Sequence, residues 1–211
     1  VRRAGIPIAY SQGFNPHPIM AFASALSVGV TSDGEYMDIR LSQPMDVREL
    51  VDRLNQALPK GITVKQAVEV DEKAPSLMSL IERADYRVVA HDPDFNWQSG
   101  IAAFRSKSEI WVEKKTKKGV STINLKEGIY EIRLEGNGSR ELYLSLKSGS
   151  RGNIRPELVI SKLLELSGAV QGDKSADMTV EQETIPVSIH RVGLYFRQNG
   201  KWVTPLALKK D

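Results

Sequence analysis

The chain has 211 residues, with 29 Lys or Arg against 26 Asp or Glu, a formal net charge of +3 and no cysteine. That length supports one large domain or two small ones, and an apolar fraction of 41% with 26% charged residues marks an ordinary globular composition. The missing cysteines exclude disulfides and a cysteine-ligated iron–sulfur cluster within these residues. No apolar run approaches the length of a membrane span, so a cytoplasmic location is expected.

In chain order, Val1-Arg-Arg-Ala-Gly5 reads as the basic last turn of a helix closed by glycine. The expectation is a unit lacking its N-terminal strand and helix. Residues 10–18, Tyr-Ser-Gln-Gly-Phe-Asn-Pro-His-Pro, form a loop stiffened by Pro16 and Pro18, with Gly13 free to adopt positive φ. Strands are expected over 19–30 and 34–41, joined by a turn at 31–34. Asp46 and Glu49 form a capping-box pattern opening a helix that Pro59 and Gly61 stop. A strand is expected over 62–70. Residues 71–75 read as a linker and 76–84 as a short bridging helix.

The second half repeats the order. A strand over 86–91 precedes a helix capped by Asp94, with Trp97, Ile101 and Phe104 on one face. Strands over 109–115 and 120–125 flank a lysine turn, and those over 129–135 and 140–147 flank Asn137-Gly138, a strong hairpin signal. Pro156 opens a helix ending at Gly168, residues 171–182 are polar, and strands over 185–196 and 201–206 close the chain. The fold class is α+β: two ferredoxin-like (split βαβ) antiparallel-sheet units in tandem, the first truncated. The expected division is 1–72, a linker over 73–84, and 85–211 with an extra hairpin.

Several motifs carry a resemblance. Residues 9–18, then Ala21-Phe-Ala-Ser-Ala-Leu-Ser-Val-Gly-Val30, Gly34-Glu-Tyr-Met-Asp-Ile39, Glu113-Lys-Lys-Thr-Lys-Lys-Gly119 and Gly152-Asn-Ile-Arg-Pro-Glu157 resemble the radical SAM-linked protein family, an uncharacterised family once classed as a domain of unknown function. The resemblance implies a partner of, or fusion to, radical SAM enzymes. Its members' genes often sit near those for a ribonuclease and ribosomal proteins, which implies an RNA-related role. With no cysteine in the chain, any S-adenosylmethionine and cluster would belong to the partner, and no cofactor is expected here.

Candidate contact residues fall in three groups. Tyr10, Gln12, Phe14, Asn15 and His17 crowd polar and aromatic groups into the stiff loop, where binding residues concentrate. Trp111 stands opposite Ile110 and Val112, so it is exposed beside Lys114, Lys115, Lys117 and Lys118 if those neighbours face the core. Otherwise it packs under the Phe104 helix. Arg151, Asn153 and Arg155 surround Gly152 ahead of a helix N-terminus, a setting that favours an anion. The polar readings, a solvated hairpin tip and a loop-holding cap, stay open for both basic segments.

Asp38 and His17 are the weaker catalytic candidates, since neither has diagnostic spacing. His17, His91 and His190 are scattered without ligand spacing, so no metal site is expected. The sequence therefore leads to an accessory RNA-binding module serving tRNA or rRNA beside a radical SAM enzyme, without a membrane role. The alternatives are an RNA-modifying enzyme centred on Asp38 or His17, and a protein adaptor for the radical SAM partner.

Overall fold

The computed structural model describes residues 1–116, 119–136, 138–169 and 186–210, with the side chains of 114–116 left aside. A 3-10 turn, Arg2–Ala4, opens the chain. Strands β1 (Met20–Phe22), β2 (Thr31–Ser32) and β3 (Met37–Ile39) precede helix α1 (Val47–Ala57) and the short α2 (Leu77–Leu80). Strand β4 (Arg83–Ala90), helix α3 (Gln98–Ser106), strands β5 (Trp111–Thr116), β6 (Gly119–Asn124), β7 (Ile129–Leu134) and β8 (Glu141–Lys147) follow. Helix α4 (Pro156–Ser167) and strands β9 (Val187–Gln198) and β10 (Lys201–Val203) complete the described elements.

The main sheet runs β10–β9–β4–β8–β7, antiparallel throughout, with β2 added in parallel to β9. Strand periodicity sorts its two faces. Ala84, Tyr86, Val88 and Ala90 of β4, with Leu142, Leu144 and Leu146 of β8, form one buried face. Ile101 and Phe104 of α3, and Val159, Ile160, Leu163 and Leu164 of α4, close that core. The two helices cross closely: a Cβ added at Gly100 would lie 2.5 Å from the Leu163 carbonyl oxygen. The opposite face carries Arg83, Asp85 and Arg87, with Tyr143 and Tyr195 beside them in register.

The expectation of tandem ferredoxin-like units is met at the coarser level of a mixed α+β architecture with four described helices. The first part departs most from it. The segment 62–70 is not a strand beyond an isolated bridge from Val70 to Lys209. Asn55 of α1 instead supplies the two bonds that a neighbouring strand would make: its amide nitrogen donates to Val64 O at 3.0 Å, and its amide oxygen accepts from Val64 N at 2.8 Å. Residues 31–34, expected as a turn, supply β2 on the edge of β9. There Gly34 faces Gly193, and a Cβ on Gly34 would lie 2.6 Å from the Gly193 Cα. The bridging helix shrinks to α2, because β4 begins at Arg83.

Other elements match closely. Asp46 caps α1, its carboxylate accepting from Arg48 N at 2.9 Å and Glu49 N at 3.1 Å. Pro156 sits in the first turn of α4, and Gly168 ends it with φ 77°. Asp94 is not the cap of α3. Trp97 stands at the N-cap without a side-chain cap bond, and just before it the Asn96 side-chain oxygen accepts from Gln98 N at 2.8 Å, while Asp92 holds Asp94 N at 2.9 Å. Two Asx turns in succession push the helix start beyond Asp94. Asn137 lies outside the described residues, as does 171–182.

Candidate functional site

Arg191 is the residue that the sequence reading missed. A register shift in β9 opposite Asp85 and Tyr86 brings Arg191 level with Tyr86, on the core face of the sheet. It is 3% exposed. Its Nη1 donates to both Glu35 carboxylate oxygens at 3.0 Å, and its Nη2 donates to the Ala25 carbonyl at 2.7 Å. Its Nε is buried with no described partner. Ser32 Oγ donates to Glu35 Oε1 at 2.7 Å, which fixes the carboxylate in turn. An arginine among Ile189, Leu194 and Phe196 in an alternating strand was the available signal.

Around Arg191 lies a cavity of about 190 Å³, walled by residues 24–27, Tyr86, Asn153, Arg155 and Pro156. It sits at the start of α4, a 12-residue helix whose N-cap, Arg155, offers no side-chain cap bond. The dipole of such a helix favours negative charge at its start, although Pro156 has no N–H and the Leu158 N–H already donates to the Arg155 carbonyl at 3.2 Å. Arg155 is exposed and forms no ion pair with a described residue. Burial pushes the Tyr86 hydroxyl above its ordinary pKa, with Arg191 opposing, so Tyr86 enters the cavity wall as a neutral ring. Two acids act on the Tyr86 hydroxyl, Glu157, whose Oε2 is buried without a described partner, and Glu35, held by Arg191. A second depression, lined by Arg3, Arg53 and Gln56, is more open, and Arg53 there is tied to Glu49.

The basic segment 147–155 divides. Asn153 and Arg155 line the cavity, whereas Arg151 pairs with Glu82 at the mouth of β4. Gly149 has φ 103°, and a Cβ there would collide with the Ile81 carbonyl, so a glycine is required at this turn.

The loop over 10–18 is a held hairpin. Tyr10 bridges Pro18, Ser11 N donates to His17 O at 2.8 Å, and His17 N donates to Ser11 Oγ at 2.9 Å. Gln12, Asn15 and His17 are exposed at its tip, Tyr10 is 50% exposed, and Phe14 is 100% exposed. Trp111 is 54% exposed and donates its indole N–H to Glu109 at 3.0 Å, while Ile110 is buried. Lys117 and Lys118, and the side chains of Lys114 and Lys115, lie outside the described residues.

Asp38 is occupied structurally: its Oδ2 accepts from Leu77 N at 2.9 Å, holding the start of α2. His17 forms no ion pair with a described carboxylate. Among the described residues no group of three His, Cys, Asp or Glu is placed to hold a metal ion, and no helix is long and apolar enough to cross a membrane.

Residues 1–156 match the model of a family described as uncharacterized protein conserved in bacteria (DUF2344). The chain belongs to that family. No curated protein and no solved structure matches it.

Proposed function

We propose that this chain is an accessory RNA-binding module that presents tRNA or rRNA to a radical SAM enzyme. The observation that carries the reading is the cavity at the start of α4, where Arg155, the positive end of the helix dipole and the buried Arg191 meet. A backbone phosphate beside Arg155 gains a guanidinium and the positive end of the helix dipole together. The residues that resemble the radical SAM-linked family support the same place, since 24–27, Glu35, Asn153, Arg155 and Pro156 all gather round Arg191. The strand order β9–β4–β8–β7, with α3 and α4 as crossovers, supports a ferredoxin-like unit in the second half.

Asp38 Oδ2 accepts from Leu77 N and so helps hold the start of α2, a structural role in keeping with an accessory. Fluorescence anisotropy with labelled tRNA tests the reading. Affinity should fall linearly with the logarithm of salt concentration. No binding at low salt sinks it.

Phe14 favours a second reading. A fully exposed phenylalanine at the tip of a hydrogen-bonded hairpin is an anchor without a socket, and a protein partner would supply one. Co-purification of the radical SAM partner should then weaken in Phe14→Ser. Unchanged recovery removes the adaptor role.

A further inference from the structure

The sheet face opposite α3 and α4 carries an aromatic–arginine cluster outside the Arg191 cavity. Tyr130 and Trp202 reach toward each other from the two edge strands, and their rings meet edge to face at 5.3 Å between centroids. Beneath them, the Arg83 guanidinium lies 5.4 Å from the Trp202 ring and 5.3 Å from Tyr195. Arg197 lies 4.6 Å from the Trp202 ring. Tyr130 is 46% exposed, and Trp202 is half-buried.

The charges decide the occupant. Arg83 is held by Asp85 through paired bonds of 2.8 Å, and Arg151 is held by Glu82, which also accepts from the Tyr130 hydroxyl through its backbone carbonyl. Arg197 forms no ion pair with a described residue, so the cluster keeps a net positive charge. Three guanidinium groups around the rings disfavour a cationic ligand. A flat, uncharged ring on an anionic chain suits both the aromatic surface and Arg197, whose charge no described carboxylate neutralises.

We infer that Tyr130, backed edge to face by Trp202, forms a stacking site for an unpaired RNA base, with Arg197 beside its phosphate. This rests on the RNA-binding reading and adds to it: the bound RNA offers a single-stranded segment. Stacking is sequence-tolerant, because every base presents a π-face. The site therefore adds affinity without choosing among bases.

The test uses the full chain and a short labelled adenosine oligoribonucleotide in anisotropy titrations over several salt concentrations. Tyr130→Ala should weaken binding about tenfold while leaving the salt slope unchanged, because no charge is lost. Tyr130→Phe keeps the ring and should bind as the parent does. An all-abasic strand of equal length should bind the parent and Tyr130→Ala alike. If the parent binds the adenosine strand and Tyr130→Ala binds it equally, the stacking site falls and RNA binding stands. If the parent binds no RNA, both fall. Displacement of the RNA by a proline-rich peptide in the parent but not in Tyr130→Ala would reassign the aromatic surface to protein and overturn the inference.

Discussion

Replacing Arg191 by methionine should reveal how the first part of the chain is fastened to the sheet. The substitution keeps a long apolar stem but removes the donors to Glu35, at 3.0 Å, and to the Ala25 carbonyl, at 2.7 Å. Breaking a buried ion pair by deleting one partner costs about 3–5 kcal/mol, because the other charge is stranded. The Arg191 side chain is 4% exposed, but Glu35 is 28% exposed, so water relieves part of that penalty. The expected loss is then about 2–4 kcal/mol. For a chain of this size that is a fall in Tm of roughly 5–10 °C. Urea denaturation followed by far-ultraviolet circular dichroism reads the change as a lower midpoint. Glu35→Gln keeps one acceptor and should cost less than Arg191→Met. The double variant should cost less than the sum of the two singles, since they remove one interaction. A midpoint for Arg191→Met within about 0.5 kcal/mol of the parent would refute the claim that this arginine joins the two parts.

Gly100→Ala forces the α3–α4 crossing apart, because the new Cβ would lie 2.5 Å from the Leu163 carbonyl oxygen. A loss of about 1–3 kcal/mol in urea unfolding is expected, and an unchanged midpoint would mean that the helices are not in close contact. Burial, then the hydrogen bond to Asp85, pushes the Tyr143 hydroxyl up to about 12. A raised folded-state pKa gives stability that is present below the unfolded value of about 10 and is lost as pH rises through the folded value. Tyr143→Phe should therefore remove the latest step of an alkaline absorbance titration. Asp33 is shifted the other way, its carboxyl held below the usual range first by the hydrogen bond to Lys65 and then by the charges of Lys65 and His190. Its contribution is present above the unfolded carboxylate range and is lost as pH falls through the lower folded value. Asp33→Asn should thus narrow the difference in stability between neutral and acid pH, and an identical pH profile would contradict the pairing.

The second half was legible because its local and long-range signals agree. Pro156 and Gly168 bracket a real helix, and the hydrophobic alternation of β4 and β8 buries Ala84, Tyr86 and Leu142 as the period requires. The first half was legible only in part: α1 and the β1–β3 pair fall within the expected helix and strands, but β2 is completed by another part of the chain. Strand β2 spans only Thr31–Ser32 and exists through its pairing with His190 and Arg191. No local pattern carries that information. Residues 62–70 alternate like a strand, yet the side chain of Asn55 occupies the hydrogen bonds that a strand neighbour would use at Val64.

The candidate site was half visible. Asn153 and Arg155 stand out because basic and polar residues precede a proline-led helix. Arg191 does not, since its burial follows from a register shift in β9 rather than from its neighbours in sequence. Arg151 shows the converse: it is adjacent to the cavity residues in sequence but paired with Glu82 in space.

The most direct measurement compares the salt dependence of RNA binding in the parent chain and in Arg155→Ala. If Arg155 holds a phosphate at the start of α4, the parent's log affinity falls linearly with log salt concentration, and the variant binds more weakly with a slope shallower by roughly 0.7–0.9. Identical affinity and slope in the two proteins would contradict the placement of RNA at this cavity.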